Sequence, residues 1–428
     1  MTYSHRDHER ISNLSGRYFL TIFVTAFLVR VLCMIVLQSW ELPDQWQFGY
    51  EIGKLGKSLA EGHGFSISNN PTAKYPPVYP LLVGGIFALF GVYSKIAALV
   101  LFMFQSICSA FIAVCLAILG NRFFGQKEGI ISGFIWCLYP SSIFYSAVRI
   151  WYSEFAIMLL FLLIIIATSD QLFLLFSRVI GLGSLGGILI LTNSTMAIYT
   201  VLLLILMLSI RKIGVQRGLM LLLIWCFAVG IVMTPWATRN YVVLGTPRIL
   251  KSNFGLELFF GNNPYSSSGR LDEEREKALE ALNKQESAYY KAKSEYAYYG
   301  YLQDKAFEWI RMNPVKFLQL TGKRFWYFWG KFPSSGPGIW SRYSCFQLVW
   351  YIPVILLAVY GTWHSIRHRW NLGPVWLFLL IYPLPFYVTH VQLYRYRYPV
   401  EPFLVLLAAI PLNTCFEFCW GKLKRRGM

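Results

Sequence analysis

The chain has 428 residues, of which 56% are hydrophobic, 18% aromatic and only 14% charged. That is too little polar surface for a soluble globule, and apolar runs near 20 residues recur along it, so the chain reads as a polytopic membrane protein. The formal charge of +18 would point to nucleic acid in a soluble protein, but here the excess sits in short loops and tails between apolar runs; it sets topology and meets anionic headgroups, and no nucleic-acid partner is expected.

The first 16 residues are polar and the run after them is long, so Gly16 to Gln38 reads as a retained first helix and not a cleaved signal. Arg30 inside it is unusual for a lipid-facing position. Candidate spans lie at about 17–39, 95–119, 129–148, 151–169, 178–194, 196–210, 218–236, 346–364, 373–391 and 397–418. A further run, Pro77 to Val92, is only about 16 residues long. The basic connections "NRFFGQKEG", "RKIGVQRG" and "HSIRHRW" and the tail "GKLKRRGM" all fall inside if both termini are cytoplasmic and there are ten crossings. An eleventh crossing at 77–92 breaks that pattern, so this run is expected to be a short, re-entrant or oblique helix on the outer side. The cysteines lie mostly inside apolar runs and read as packing residues.

The expected fold is therefore an all-α polytopic membrane protein of about ten transmembrane helices plus a short outer-side helix. Its organisation is a transmembrane module over 1–238 with a first outer loop at 40–94, an extracytoplasmic and mostly helical segment over 239–345, and C-terminal helices with a basic cytoplasmic tail over 346–428. The middle segment, with "LDEEREKALEALNKQESAYYKAKSEYAYYGYLQDKAFEWIRMNP", is charged and rich in helix formers. Its ten carboxylates read mostly as a solvated surface.

Of 21 acids, five more fall in cytoplasmic positions (Asp7, Glu9, Glu128, Asp170, Glu417), leaving Glu41, Asp44, Glu51, Glu61, Glu154 and Glu401 near the outer membrane face. Ionisable groups at such depth are costly and usually face a cavity or a partner. Asp44 and Glu51 are seven residues apart, so a helical "QWQFGY" between them would put both on one face, over a cleft for base catalysis or a divalent cation; an amphipathic interfacial helix is the plainer alternative. Glu154 opens an apolar helix with Arg149 just before it, and a helix-start carboxylate often serves the dipole alone. "HVQLYRYRYPVEP" puts Arg395 and Arg397 outside, against the positive-inside trend, where they suit a phosphate or pyrophosphate, or else the tyrosines simply anchor the interface. Arg239 sits where a helix leaves the membrane. Asn262 and Asn263 in "FFGNNPYSSSG" form a turn and could bond sugar hydroxyls.

The order of these motifs resembles a family. "GYEIGKLGKSLAEGHGFS", "PTAKYPPVYPLLVGGIFALFG", "YPSSIFYSAVRIWYSE", "TPWATRNYVVLGTPRILKSNFGLELFFGNNP", "KAFEWIRMNPVKFLQLTGKRFWYFW" and "RYRYPVEP" follow one another as in the GT-C superfamily of lipid-linked-sugar glycosyltransferases. The resemblance is to the bacterial group of protein O-mannosyltransferases and aminoarabinose transferases. It implies a GT-C-like fold in a bacterial inner membrane, with the active site facing outward. It also implies transfer of a sugar from a polyprenyl-phosphate donor to a lipid, glycan or protein acceptor. The family's first-loop acid, second-loop acid and basic residue near the proline pair match Asp44 or Glu51, Glu154 and Lys74. The chain lacks the adjacent acid pair common in the first loop, which leaves the primary acid open. On this resemblance Glu51 or Asp44 is the base, Lys74, Arg395 and Arg397 contact phosphate, and Glu154 orients the acceptor or a cation. Tyr75, His63, Arg149, Arg239, Asn262 and Asn263 complete the candidate substrate-binding set. A divalent cation, if bound, would fall to Asp44, Glu51 and Glu154. A lipid-linked glycan ligase or polymerase, or a transporter or lipid flippase, are the alternatives; the latter should show paired broken helices or an internal repeat.

Overall fold

The computed structural model describes residues 16–42, 44–169, 176–247, 249–267, 272–330, 339–391 and 394–426. Asp7, Glu9 and Asp170 lie outside the described residues. Among those described, the fold is all-α apart from one two-residue antiparallel ladder, Ser66–Ile67 with Asn70–Pro71.

The ten expected spans all appear as helix, but they differ in reach. The membrane helices are α1 (Gly16–Val36), α4 (Lys95–Phe123), α5 (Gln126–Leu138) with α6 (Pro140–Ala147), α7 (Ser153–Ala167), α8 (Phe176–Thr192), α9 (Ala197–Ile210), α10 (Val215–Leu244), α16 (Ile339–Arg367), α17 (Gly373–Ile381) with α18 (Leu384–Val388), and α19 (Glu401–Arg426). Five of these segments are long and apolar enough to cross a bilayer singly, and α5 with α6, bent by 53°, makes a sixth. The shorter apolar helices, among them α7 and α8, fall below a full span at ~1.5 Å rise per residue. The run at 77–92 is the short helix α3 (Val78–Phe90), stacked on the interfacial helix α2 (Glu51–Ala60). The expected span at 373–391 breaks at "YPLP", where Pro383 and Pro385 lack the N–H needed to continue the ladder.

Small residues set a close contact between α4 and α5. A Cβ on Gly129 would lie 2.5 Å from the Ala117 carbonyl, so α4 and α5 can approach this closely only without one. The bend between α5 and α6 explains Arg30. It leaves the Trp136 carbonyl with a long 3.4 Å bond from the Tyr139 N–H and one from Ser142 Oγ, and the buried guanidinium adds donors to the Trp136 and Cys137 carbonyls at 3.1 and 3.3 Å and to Ser142 Oγ at 2.7 Å.

The segment over 239–345 is helical among its described residues: α11 (Phe254–Gly261), α12 (Asp272–Glu280), α13 (Lys284–Lys293), α14 (Glu295–Met312) and α15 (Pro314–Trp329). The first of these is not a solvated helix. Its two glycines bring it against neighbours: a Cβ would sit 2.0 Å from the Tyr299 carbonyl at Gly255, and 1.6 Å from the Thr389 carbonyl at Gly261. Arg324 of α15 ties the far end, donating to the carbonyls of Gly261, Tyr387 and Val388. α11 is thereby held between the outer helices and the segment following α18.

Candidate active site

The stretch between α1 and α3 does not place its two leading acids on one helix. Asp44 is exposed and caps a single 3₁₀ turn, Gln45–Phe48, accepting from the Trp46 N–H at 2.5 Å. The chain then turns through Gly49 and Tyr50 at φ 88° and 57°, and only afterwards does Glu51 open α2. Positive φ at two consecutive residues ends the first helix and breaks the expected common face. Glu51 instead reaches Lys74, whose Nζ lies 3.0 and 2.7 Å from its two carboxylate oxygens.

Lys74 is held by the loop that precedes it. Arg239, at the end of α10, donates to the carbonyls of Phe65 and Thr72 at 2.7 and 2.8 Å, so this arginine acts as a strap on the loop. Glu295, the first residue of α14, accepts from Thr72 Oγ1 and from the Ala73 N–H at 3.1 Å. Tyr75, next in line, is half-buried; desolvation and the adjacent Glu51 carboxylate push its phenol well above the ordinary value, so it is a neutral hydrogen-bonding group.

Facing this loop is α11 with the stretch before it. Lys251, Asn253 and Glu257 line the same small cavity as Lys74, Tyr75 and Arg395. Its volume, about 80 Å³, has room for two or three waters at ~30 Å³ each. Burial pushes the Lys251 ammonium down, against the pull of Glu257, and Arg395 lowers it further. Glu257 bonds Asn253 Nδ2 at 2.7 Å and His390 Nε2 at 2.5 Å. Burial alone would raise its carboxyl, but His390, with Lys251 and Arg395, outweighs that and holds it at about 2. The Arg395 guanidinium lies 5.1 Å from the Trp151 ring centre and 5.2 Å from that of Tyr396. Three cations from three distant stretches of chain thus surround one cavity, with one ionised carboxylate in its wall and a second bound to one of the cations.

The remaining candidates sit elsewhere. Glu154 is fully buried behind the cavity wall, accepting from Tyr398 Oη. Arg397 is also buried, with Nε 3.2 Å from Glu401 and its guanidinium 3.5 Å from the Tyr351 ring centre. Arg149 lies over Tyr50 at 4.8 Å. Asn262 and Asn263 are buried; their amides donate to the carbonyls of Leu258 and Val388 and of Phe259 and Phe260, which is helix-end capping. His63 is exposed at the mouth of a separate apolar groove of about 580 Å³, walled by Leu59, Phe65, Leu81, Val232 and Trp236. That groove also takes in Pro71 and Pro77, which flank the Lys74 loop. Among the described residues no three His, Cys, Asp or Glu side chains come together as a metal site, and Asp44, Glu51 and Glu154 do not form one.

Sequence reasoning missed Lys251, Glu257, His390 and Glu295. Glu257 had a visible signal: it is the lone charge in the apolar "FGLELFFG", unlike the acids of the charged stretch that follows.

No protein-family model matches the chain, and no curated protein matches it. Among solved structures it is similar to ArnT from Cupriavidus metallidurans in the apo state, at 15% identity and a TM-score of 0.48, over 92% of this chain and 61% of that one. It is similar also to ArnT from the same organism bound to undecaprenyl phosphate, at 11% identity and a TM-score of 0.44, over 92% of this chain and 77% of that one. The chain thus spans 61% of the length of the apo structure it matches.

Proposed function

We propose that the protein is a glycosyltransferase of GT-C type that moves a sugar from a polyprenyl-phosphate donor to an acceptor hydroxyl at the outer face of the membrane. The observation that carries this reading is the convergence of Lys74, Lys251 and Arg395 on one cavity whose wall also holds Glu257. A lipid phosphate needs cations where the bilayer ends and an apolar track for its chain; the groove beside Pro71 and Pro77 supplies the second. The motif order supports the same class of reaction.

In this reading the donor phosphate lies against Lys251 and Arg395 and competes for Lys74, which now pairs with Glu51. Taking Lys74 away frees the Glu51 carboxylate to accept the proton of the acceptor hydroxyl. The acceptor oxygen bonds to the anomeric carbon as the bond from that carbon to the phosphate oxygen breaks, and the electron pair leaves with the phosphate, where the cations stabilise it. Glu257, kept ionised by His390, Lys251 and Arg395, orients the acceptor hydroxyl. The enclosed part of the cavity, about 80 Å³, is smaller than a sugar, so the donor sugar extends into the open side of the cleft or widens it on entry.

Mass spectrometry of membrane lipids and surface glycans, with and without the protein, tests this. Loss of the protein should leave a polyprenyl-phosphate sugar accumulated and one glycan missing its terminal residue. Unchanged pools of both overturn the proposal.

A further inference from the structure

Lys74 and Lys251 belong to loops far apart in sequence, yet one carboxylate touches both loops. Glu295 Oε1 accepts from the Ala73 N–H at 3.1 Å and from Ser252 Oγ at 2.5 Å, while its Oε2 accepts from Thr72 Oγ1. Thr72 Oγ1 in turn accepts from the Lys74 N–H at 3.0 Å. The Ser252 N–H closes the arrangement by donating to the Ala73 carbonyl at 3.0 Å. Each cavity lysine is therefore adjacent in sequence to groups gripped by Glu295. Ser294 caps α14 through the Ala297 N–H at 3.1 Å, so the carboxylate projects from the first turn of an 18-residue helix and not from a mobile loop.

We propose that Glu295 is a positioning residue that sets the separation of Lys74 and Lys251, and so shapes an anion cradle built jointly by the first outer loop and the outer helical segment. A carboxylate can do this because it accepts at both oxygens from several donors at once; an amide of the same shape offers one accepting oxygen and presents N–H groups to the others. Arg239 holds the same loop by its carbonyls from the end of α10, so the loop is fixed from two directions and Glu295 supplies the one that also reaches Ser252, next to Lys251. The proposal rests on reading the cavity as a phosphate site, and its test keeps the two ideas apart.

The full-length protein in nanodiscs is titrated with undecaprenyl phosphate, and hydrogen exchange is followed by mass spectrometry over peptides spanning 70–76 and 248–254. In Glu295→Gln the affinity should fall at least roughly tenfold, as expected for displaced binding groups, and both peptides should exchange faster while the rest of α14 does not change. Glu295→Asp should recover part of the affinity; Glu308→Gln, exposed further along the same helix, should bind as the wild type does. Wild-type affinity in Glu295→Gln, with unaltered exchange at 70–76, overturns the proposal. If Glu295→Gln does not fold, Thr72→Val and Ser252→Ala each remove one donor; both should weaken binding, and wild-type affinity in both also overturns it. A wild-type protein that does not bind undecaprenyl phosphate sinks the lipid-phosphate reading; the positioning role then stands or falls on the exchange of the 70–76 peptide in Glu295→Gln.

Discussion

Two groups of charged side chains lie near the same end of the helical bundle, and they are built in opposite ways. The interior group comprises Arg30, Glu154 with Tyr398, and Arg397 with Glu401; its members are almost fully buried and bonded to neighbours on their own or adjacent helices. The cavity group comprises Lys74, Lys251, Arg395 and Glu257, brought together from separate loops around a small open volume. A charge enclosed by partners satisfies backbone breaks and fixes helix register. A charge at a cavity is left able to exchange its partner for a ligand. Depth in the membrane alone does not separate the two kinds, because both occupy positions where ionisable groups are costly.

The sharpest test of this division is the Arg397–Glu401 pair, of which the motif resemblance would give Arg397 to phosphate. Glu401→Leu strands a buried guanidinium and should cost about 3–5 kcal/mol of stability, read as a lowered thermal midpoint in detergent. Replacing both residues, Arg397→Met with Glu401→Leu, should restore most of that stability and keep transfer activity. A stable double mutant without activity would move Arg397 into the cavity group's role.

The cavity group should behave in the reverse manner. Lys251→Ala and Lys74→Ala should each lower kcat/KM by about 10²–10³, while the thermal midpoint stays close to wild type. Because burial holds the Lys251 ammonium below the ordinary lysine value, undecaprenyl phosphate binding should fall away at a lower pH than a free lysine would allow, and Lys251→Arg should move that fall upward. Binding that is flat up to the ordinary lysine range would argue against Lys251 as a phosphate contact.

Glu257 gives a prediction of similar size in acid. Its carboxyl is held at about 2, below the ordinary 4.5, so the folded state binds fewer protons than the unfolded one over that interval. The resulting stability is present above the ordinary carboxylate range and is lost as pH falls towards ~2. Glu257→Gln should flatten this limb of the curve. An unchanged acid limb would mean that His390 and Lys251 do not stabilise the ionised form.

Much of the architecture was legible because it follows from hydropathy and length. All ten apolar segments are helical, the short run at 77–92 is a short helix, and the charged outer stretch folds as helices. The site was legible only in part. Lys74 was singled out by the family resemblance, as the basic residue before the proline pair, and Arg395 as an arginine expected outside against the positive-inside trend. Glu257 was legible as the lone charge in "FGLELFFG" and was passed over in the count of ten acids; its role depends on packing, since glycines at Gly255 and Gly261 let its helix press against Tyr299 and Thr389. Lys251 and Glu295 carry no local signature at all, since their significance arises from contacts between loops far apart in sequence. The helical face expected for Asp44 and Glu51 failed for a backbone reason, the two positive φ angles at Gly49 and Tyr50.

That failure leads to the smallest and most discriminating effect. Asp44 is exposed and spends its carboxylate on the Trp46 N–H, whereas Glu51 is bound to a cavity lysine. Asp44→Ala should cost about 1 kcal/mol as a lost cap, and Asp44→Asn less, because the amide oxygen still accepts. Neither should change kcat/KM by more than about fivefold, the span of ~1 kcal/mol. Glu51→Gln removes the only group here that both pairs with Lys74 and could take a proton, so it should abolish transfer while leaving donor binding intact or tighter, Lys74 no longer being contested. If Asp44→Asn is the inactive variant and Glu51→Gln retains turnover, the first loop must rearrange on binding to bring Asp44 inward, and the distinction between a capping acid and a cavity acid would not survive in the working enzyme.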